Sequence, residues 1–177
     1  MGQTATDTPE YGWFMRFTIW LSSTRAGQLI YVRVIPPLDR RLMLWSKGKW
    51  SISPKGDPTN IGGLALLTTR GARSAKARHT PLGFAWDGES IVILASNAAR
   101  DRHPSWYFNL KKTPEVAITT AGGGQGTYIA EEIEPGPERD RLWKILCKMN
   151  PGFEKYPART GGRIIPVILC RPARKPR

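Results

Sequence analysis

A chain of 177 residues, 40% hydrophobic and 23% charged, has the size of one ordinary domain, long enough to close a core without disulfides or a structural metal. No run approaches the roughly 18 apolar residues of a membrane-spanning helix, Cys147 and Cys170 lack Cys-x-x-Cys spacing, and His79 and His103 make no local zinc motif. The formal charge of +13 implies an anionic partner and leaves nucleic acid, an acidic membrane face and a phosphorylated, carboxylate-rich cofactor to be separated by how the charge is distributed.

Residues 1–35 read as an aromatic N-terminal leader compatible with a helix, with Trp13, Phe14, Phe17, Ile19, Trp20 and Leu21 among few charges. Its polar start, MGQTATDTPE, lacks the basic n-region of a secretory signal, so the cytoplasm is the expected compartment. After Pro36 and Pro37, the spacing of Leu38, Leu42, Met43 and Trp45 predicts a short amphipathic helix. The glycines and prolines of 47–58 predict a loop. From Gly62 onward six strands are predicted, over 64–69, 81–86, 90–95, 116–120, 127–133 and 164–169. Asp87-Gly88 predicts a two-residue hairpin and Gly122-Gly123-Gly124 a looser turn, so most connections are antiparallel. One helix opens at His103-Pro104 with proline at its first position. A second starts near Pro137 and carries Leu142, Ile145, Leu146 and Met149 on one face. The sum is a mainly β, α+β architecture, a small barrel of about six antiparallel strands edged by helices.

Between the first two strands runs Arg70-Gly71-Ala72-Arg73-Ser74-Ala75-Lys76-Ala77-Arg78-His79-Thr80, with four cations in nine residues and small residues between them. Small neighbours let backbone amides approach an anion, arginine can hold phosphate or carboxylate bidentately, and Ser74 adds a hydroxyl. The bland reading is a solvated loop whose charges keep the protein soluble. A Walker phosphate loop is absent, and the glycines of 122–126 lack dinucleotide-fold spacing.

Three blocks resemble the actinobacterial-type, deazaflavin-dependent nitroreductase family of split β-barrel oxidoreductases, FMN-binding-like in fold. Residues 66–82, from Leu66-Leu67-Thr68-Thr69 through the basic loop to Pro81-Leu82, are similar to a family pattern with Arg at the position of Ala72 and Gly at that of Ala75. Ala95-Ser96-Asn97-Ala98-Ala99 and His103-Pro104-Ser105-Trp106-Tyr107-Phe108-Asn109-Leu110 resemble Ala-Ser-x-Gly-Gly and His-Pro-x-Trp-Tyr-x-Asn-Leu. Tyr156, Thr160, Arg163, Ile165 and Pro166 resemble the C-terminal strand.

The resemblance implies an enzyme that takes hydride from reduced coenzyme F420 and passes it to an activated alkene, quinone or nitro acceptor. In it residues 36–170 are the cofactor-binding barrel and 171–177 a basic disordered tail. Position by position, Arg73, Ser74 and Arg78 would grip the cofactor's anionic tail, with Lys76 compensating for the arginine missing at Ala72. Thr80 and Pro81 would flank its path. Ser96, Asn97, Ala98, Ser105, Trp106 and Asn109 would line the ring and ribityl chain. Tyr156 or Ser96 would donate or polarise the proton that quenches the reduced acceptor. Asn150 and Phe153 stand where nitroimidazole-reducing relatives carry tyrosines, which favours a quinone or enone. No metal is implied. The alternatives are an FMN-dependent relative and a non-catalytic deazaflavin- or fatty-acid-binding protein. The charge concentrates in one loop without a stacking motif, which argues against nucleic acid. Aromatics with neighbouring arginines in the leader suit peripheral contact with the inner face of the cell membrane, and barrel cousins form homodimers.

Overall fold

The computed structural model describes residues 34–53 and 62–173. The chain divides into two units, Met1–Pro37 and Leu38–Arg177; of the first, the description covers residues 34–37. The leader's aromatic residues therefore lie outside the described residues.

Helix α1 spans Ile35–Ser46 and holds Pro36 and Pro37 in its first turn, where a missing N–H leaves no hydrogen bond unmade. It stops at left-handed Lys47 and Gly48, and the Gly48 N–H closes its end on the Met43 carbonyl at 2.8 Å. Of the predicted apolar stripe, Met43 is buried and Leu42 half-buried, whereas Leu38 and Trp45 are exposed. At 100° per residue those two lie well over 100° around the helix from Met43, so one core cannot take all four.

Six strands follow: β1 Gly63–Arg70, β2 Ala77–Asp87, β3 Ser90–Leu94, β4 Glu115–Thr120, β5 Gln125–Ile133 and β6 Val167–Pro172. They close in the order β1-β2-β3-β6-β5-β4, every pairing antiparallel, with β1 bonded to both β2 and β4. Two further helices are α2, Ser105–Lys112, and α3, Pro137–Met149.

Several boundaries differ from the sequence reading. β2 begins at Ala77 instead of Pro81, because Ala77 to Thr80 pair with Arg70 to Leu67 of β1 despite poor intrinsic strand propensity. Pro81 is tolerated where β2 has β1 alone for a neighbour, since β3 pairs with Phe84–Asp87. β6 is displaced three residues onward: Pro166 has no N–H for a ladder, and its carbonyl accepts from Ala95 instead. Arg171 and Pro172, predicted as the start of a disordered tail, thus belong to β6, and Ala173 N–H bonds the Thr127 carbonyl at 2.9 Å. The hairpin turn is Gly88-Glu89, one residue later than predicted, with Gly88 at φ 62°. Asp87 instead anchors α3, accepting two bonds from Arg141 at 2.7 and 2.8 Å that hold its carboxyl below the usual carboxylate range.

Strand alternation sorts the apolar residues into three cores. The lumen is filled from all six strands, including Leu67, Phe84, Ile91, Ile93, Ile118 and Ile168, and α2 closes it with Trp106 and Leu110. α3 lays Leu142 and Leu146 on an outer face made by Ala85, Val92, Val167 and Leu169. Met43 of α1 packs on Leu66 and Ala121. Cys147 and Cys170 are buried free thiols, and burial pushes Cys170 up to about 12.

Candidate functional site

With β2 starting at Ala77, the basic connection shrinks to a tight turn, Gly71 to Lys76. Gly71 N–H bonds the Lys76 carbonyl at 2.9 Å and Ala75 N–H the Gly71 carbonyl at 2.8 Å. A Cβ at Gly71 would come within 2.7 Å of Ser74 Oγ, so the turn closes around that glycine. Ala75 sits at φ 55°, a conformation glycine adopts without strain. This explains the glycine in the resembled pattern.

Arg73, Ser74, Lys76 and Arg78 are all exposed. Arg78 Nη2 lies 3.4 Å from Ser74 Oγ, and neither Arg73, Lys76 nor Arg78 is in an ion pair with any described carboxylate. Unspent cations around small residues suit a polyanionic ligand. Arg78 lies on β2, beyond the turn, and the next residues on the strand are divided. Thr80 shares the lumen side with Leu82 and Phe84, whereas Pro81 points to the opposite face.

α2 fastens the turn from behind. Asn109 accepts from Ala72 N–H at 2.9 Å and donates to Thr69 Oγ1 at 3.0 Å, while Lys112 Nζ donates to the Ala72 carbonyl at 2.8 Å. Asn109 is buried and spends both ends of its amide on this bracket, and Trp106 is buried in the lumen. Ser105 is exposed at the helix start. Lys112 went unnoticed in the sequence. It brings a cation to the backbone of Ala72, where the resembled pattern has an arginine, and its signal is the helical spacing of three residues from Asn109.

The second turn follows β3. Ser96 is right-handed at φ −75° and ψ −31°, and Asn97, Ala98 and Ala99 are left-handed at φ 51°, 54° and 59°. Such a right-to-left succession turns consecutive amides toward one concave side, a seat for an anion or a carbonyl oxygen. Ala98 and Ala99 occupy the positions of the pattern's paired glycines, and their geometry shows why glycine suits them. Asn97 closes the turn by donating Nδ2–H to the Arg102 carbonyl at 3.0 Å.

Arg163, half-buried, reaches this turn from the chain just before β6. It donates to the carbonyls of Ser96 at 2.8 Å, Arg100 at 2.9 and 3.2 Å and Ala95 at 3.3 Å, and to His103 Nδ1 at 3.1 Å. Arginine has no acceptor, so Nδ1 must accept, which fixes His103 as a neutral ring protonated on Nε2. Burial and the adjacent guanidinium push His103 below its ordinary value, Glu132 opposing. The imidazole stacks on Tyr107 at 4.7 Å, and Glu132 gathers Tyr107 Oη at 2.8 Å and Lys111 Nζ at 2.9 Å. Arg163 appeared in the sequence only as a motif letter; nothing local to it names its partners.

Tyr156 is half-buried beside Phe153, ring centroids 5.2 Å apart, both packed on the outer core beneath α3. Asn150 caps the following turn by accepting from Gly152 N–H at 2.9 Å. Buried Thr160 places its hydroxyl 3.0 Å from the Pro157 carbonyl and 2.9 Å from that of Arg163, bracing the segment that delivers Arg163.

The two turns are therefore joined by one strut. α2 has eight residues, a span of about 12 Å, its N-terminal end following the Ser96 turn and its C-terminal end holding the basic turn. The F420H(2)-dependent quinone reductase family model matches residues 48–172, which cover both. The chain belongs to this family. An F420H(2)-dependent quinone reductase of Mycobacterium tuberculosis H37Rv is 37% identical over 108 residues, 60% of this chain and 72% of the relative. A solved F420-H2-dependent reductase superposes with TM-score 0.56 at 35% identity, covering 61% of this chain and 93% of its own. A second structure, described as a domain-swapped dimer, has the same score and identity and is covered over 79% of its length. The fold is accordingly the split β-barrel, and the family is one of F420-dependent oxidoreductases, which decides the cofactor in favour of F420 over FMN.

Proposed function

We propose that this member of the family reduces a quinone with hydride from coenzyme F420, the anionic tail of the cofactor lying on the basic turn and its ring against the Ser96 turn. The observation that carries this is the pairing of unspent cations at one end of α2 with a concave left-handed turn at the other. Arg73, Lys76 and Arg78 hold the tail with Ser74, and Lys112 adds charge from behind. Thr80 stands at the lumen side of the path and Pro81 at its outer edge. Ser96, Asn97, Ala98 and Ser105 face the ring, while Trp106 and Asn109 set the floor and the strut.

When bound, the reduced deazaflavin supplies a hydride, two electrons in one step, so the protein needs no catalytic triad. The chain's own groups orient, exclude water and move a proton. The amides of Ser96 to Ala98 polarise a carbonyl oxygen placed in their concavity, and the hydroxyl of Tyr156 or Ser96 delivers the proton to the reduced acceptor. A quinone fits better than a nitro compound, because Asn150 is committed to a cap and Phe153 to packing. The barrel domain comprises residues 36–170 with the two strand residues beyond it. Homodimer formation and peripheral contact with the inner face of the membrane belong to the same proposal.

The test is titration with oxidised F420, then oxidation of the reduced cofactor by menadione and by a cyclohexenone. Arg73→Ala and Arg78→Ala should each weaken binding about tenfold, one lost charge-assisted contact, with thermal stability unchanged because neither side chain has an ion-pair partner among the described residues. Equal affinity in wild type and both variants would remove the tail from this turn.

A further inference from the structure

Gly83 stands in the interior of the 11-residue strand β2 with no structural need to be glycine. Its φ is not left-handed, and it pairs in register with Leu64 of β1 in a regular antiparallel ladder. At other glycines packing forbids a side chain. A Cβ would meet Ser74 Oγ at 2.7 Å on Gly71, Thr120 Oγ1 at 2.6 Å on Gly124 and the Tyr128 ring at 2.8 Å on Gly126. On Gly83 the nearest atoms, among the described residues, are Met149 Cε at 3.4 Å, its Sδ at 3.9 Å and the Gly63 carbonyl at 4.0 Å, all ordinary contacts. Alanine therefore fits, and it would stabilise the strand, because glycine loses more chain entropy on folding and packs nothing.

The missing side chain leaves a bare strip on the outer face of the sheet. Gly83 is exposed, whereas on the same face Pro81 is half-buried and Ala85 is buried beneath α3. On one side of the strip Leu64 packs with the core that Met43 of α1 makes with Leu66 and Ala121. On the other, Met149 belongs to the core beneath α3, together with Phe153 and Tyr156. The strip is thus floored by peptide and walled by an aliphatic side chain and a thioether. It adjoins the core that carries Tyr156, one of the two proton donors of the proposed reaction. A glycine in a strand suits close approach of a ligand to the backbone, and a methionine sulfur adapts to and attracts an aromatic ring.

We propose that Gly83 is a specificity-determining residue: the bare strip between Leu64 and Met149 receives the fused rings of a two-ring quinone, which a larger side chain at this position would exclude. The proposal rests on the quinone reading and adds to it the element that sets the size of the acceptor.

The test is isothermal titration of menadione into the full-length protein loaded with oxidised F420, in wild type, Gly83→Ala and Gly83→Leu. A single methylene in an apolar pocket changes selection by about tenfold or more, so alanine should weaken menadione about tenfold and leucine about a hundredfold, with F420 affinity held within about twofold. Met149→Ala added to Gly83→Leu reopens the strip and should recover about tenfold of that loss. In turnover with reduced F420 the loss should fall on KM for menadione, with kcat and the kcat/KM for the smaller cyclohexenone unchanged. The thermal midpoint of Gly83→Ala should rise by about 1–4 °C, whereas a glycine kept for packing would make it fall.

Undiminished menadione affinity in both single variants overturns the proposal. So does a parallel loss of F420 affinity, which would make the position one for the cofactor, or a lowered midpoint in Gly83→Ala, which would make it one for the fold. Wild type that binds menadione with this pattern of variants but does not reduce it sinks the quinone reading of the reaction and leaves the strip standing. Wild type and variants that reduce menadione with one KM do the reverse.

Discussion

The basic turn and the Ser96 turn are built alike and charged differently. Each contains left-handed alanine, each follows a strand that leaves the barrel, and each lies at an end of α2. In the basic turn the arginines reach outward with no described carboxylate beside them. In the Ser96 turn one arginine, Arg163, is consumed by three carbonyls and an imidazole. The same side chain is left open to solvent in one place and built into the scaffold in the other. What separates the roles is whether the fold has already filled its donors.

The largest test of that contrast is Arg163→Ala. It leaves the carbonyls of buried Ala95 and half-buried Ser96, and His103, without their donor, so a loss of about 3 kcal/mol is expected in a urea titration, together with loss of F420 binding. Lysine should not rescue it, because one ammonium cannot serve four acceptors spread around a planar fork. A stable Arg163→Ala protein would make the two turns equivalent. Next in size is Asn109→Ala, which strips the Ala72 N–H and the buried Thr69 hydroxyl of partners. It should cost about 1–3 kcal/mol and weaken cofactor binding as well, since the basic turn loses its strut.

Smaller effects come from the alanines. Ala75→Gly and Ala98→Gly should each raise stability by up to about 1 kcal/mol, the relief of a left-handed Cβ less the extra freedom of glycine in the unfolded chain. Thermal midpoints read the balance, and a fall in both variants would mean that the methyl groups make contacts worth more than the strain. The smallest expected effect is on pH. His103 titrates below its ordinary 6.5 because burial and Arg163 favour the neutral ring. Its contribution is complete above that value and is lost as pH falls through the lower, folded one. Between pH 8 and 5 the wild type should therefore lose more stability than His103→Gln, whose side-chain oxygen still accepts from Arg163. His79, lowered by burial and by Arg40, adds a slope common to both proteins.

Much of this molecule could be read before its structure. Short β segments set between turn signals marked all six strands, and the spacing of Leu142 and Leu146 marked α3, because burial of one helix face imposes its own period on the sequence. The errors fell where a partner overrides local preference. Arg78, His79 and Thr80 look like loop, yet they are strand because Thr69, Thr68 and Leu67 lie opposite them. Trp106 and Asn109 were singled out in the sequence to line the ring and ribityl chain; their places in the lumen and in the bracket behind the basic turn were not legible there.

By itself the sequence determined the barrel's strand count, the concentration of positive charge and the family to which the motifs point, since these follow from composition and from patterns within a few residues. Which cations remain free was decided by tertiary structure alone. Arg163 and Arg73 are the same letter. Ninety residues apart in the chain, they part company because the return of the chain into β6 carries one of them onto the carbonyls of Ala95, Ser96 and Arg100, while the other turns at the barrel's rim with small residues for neighbours.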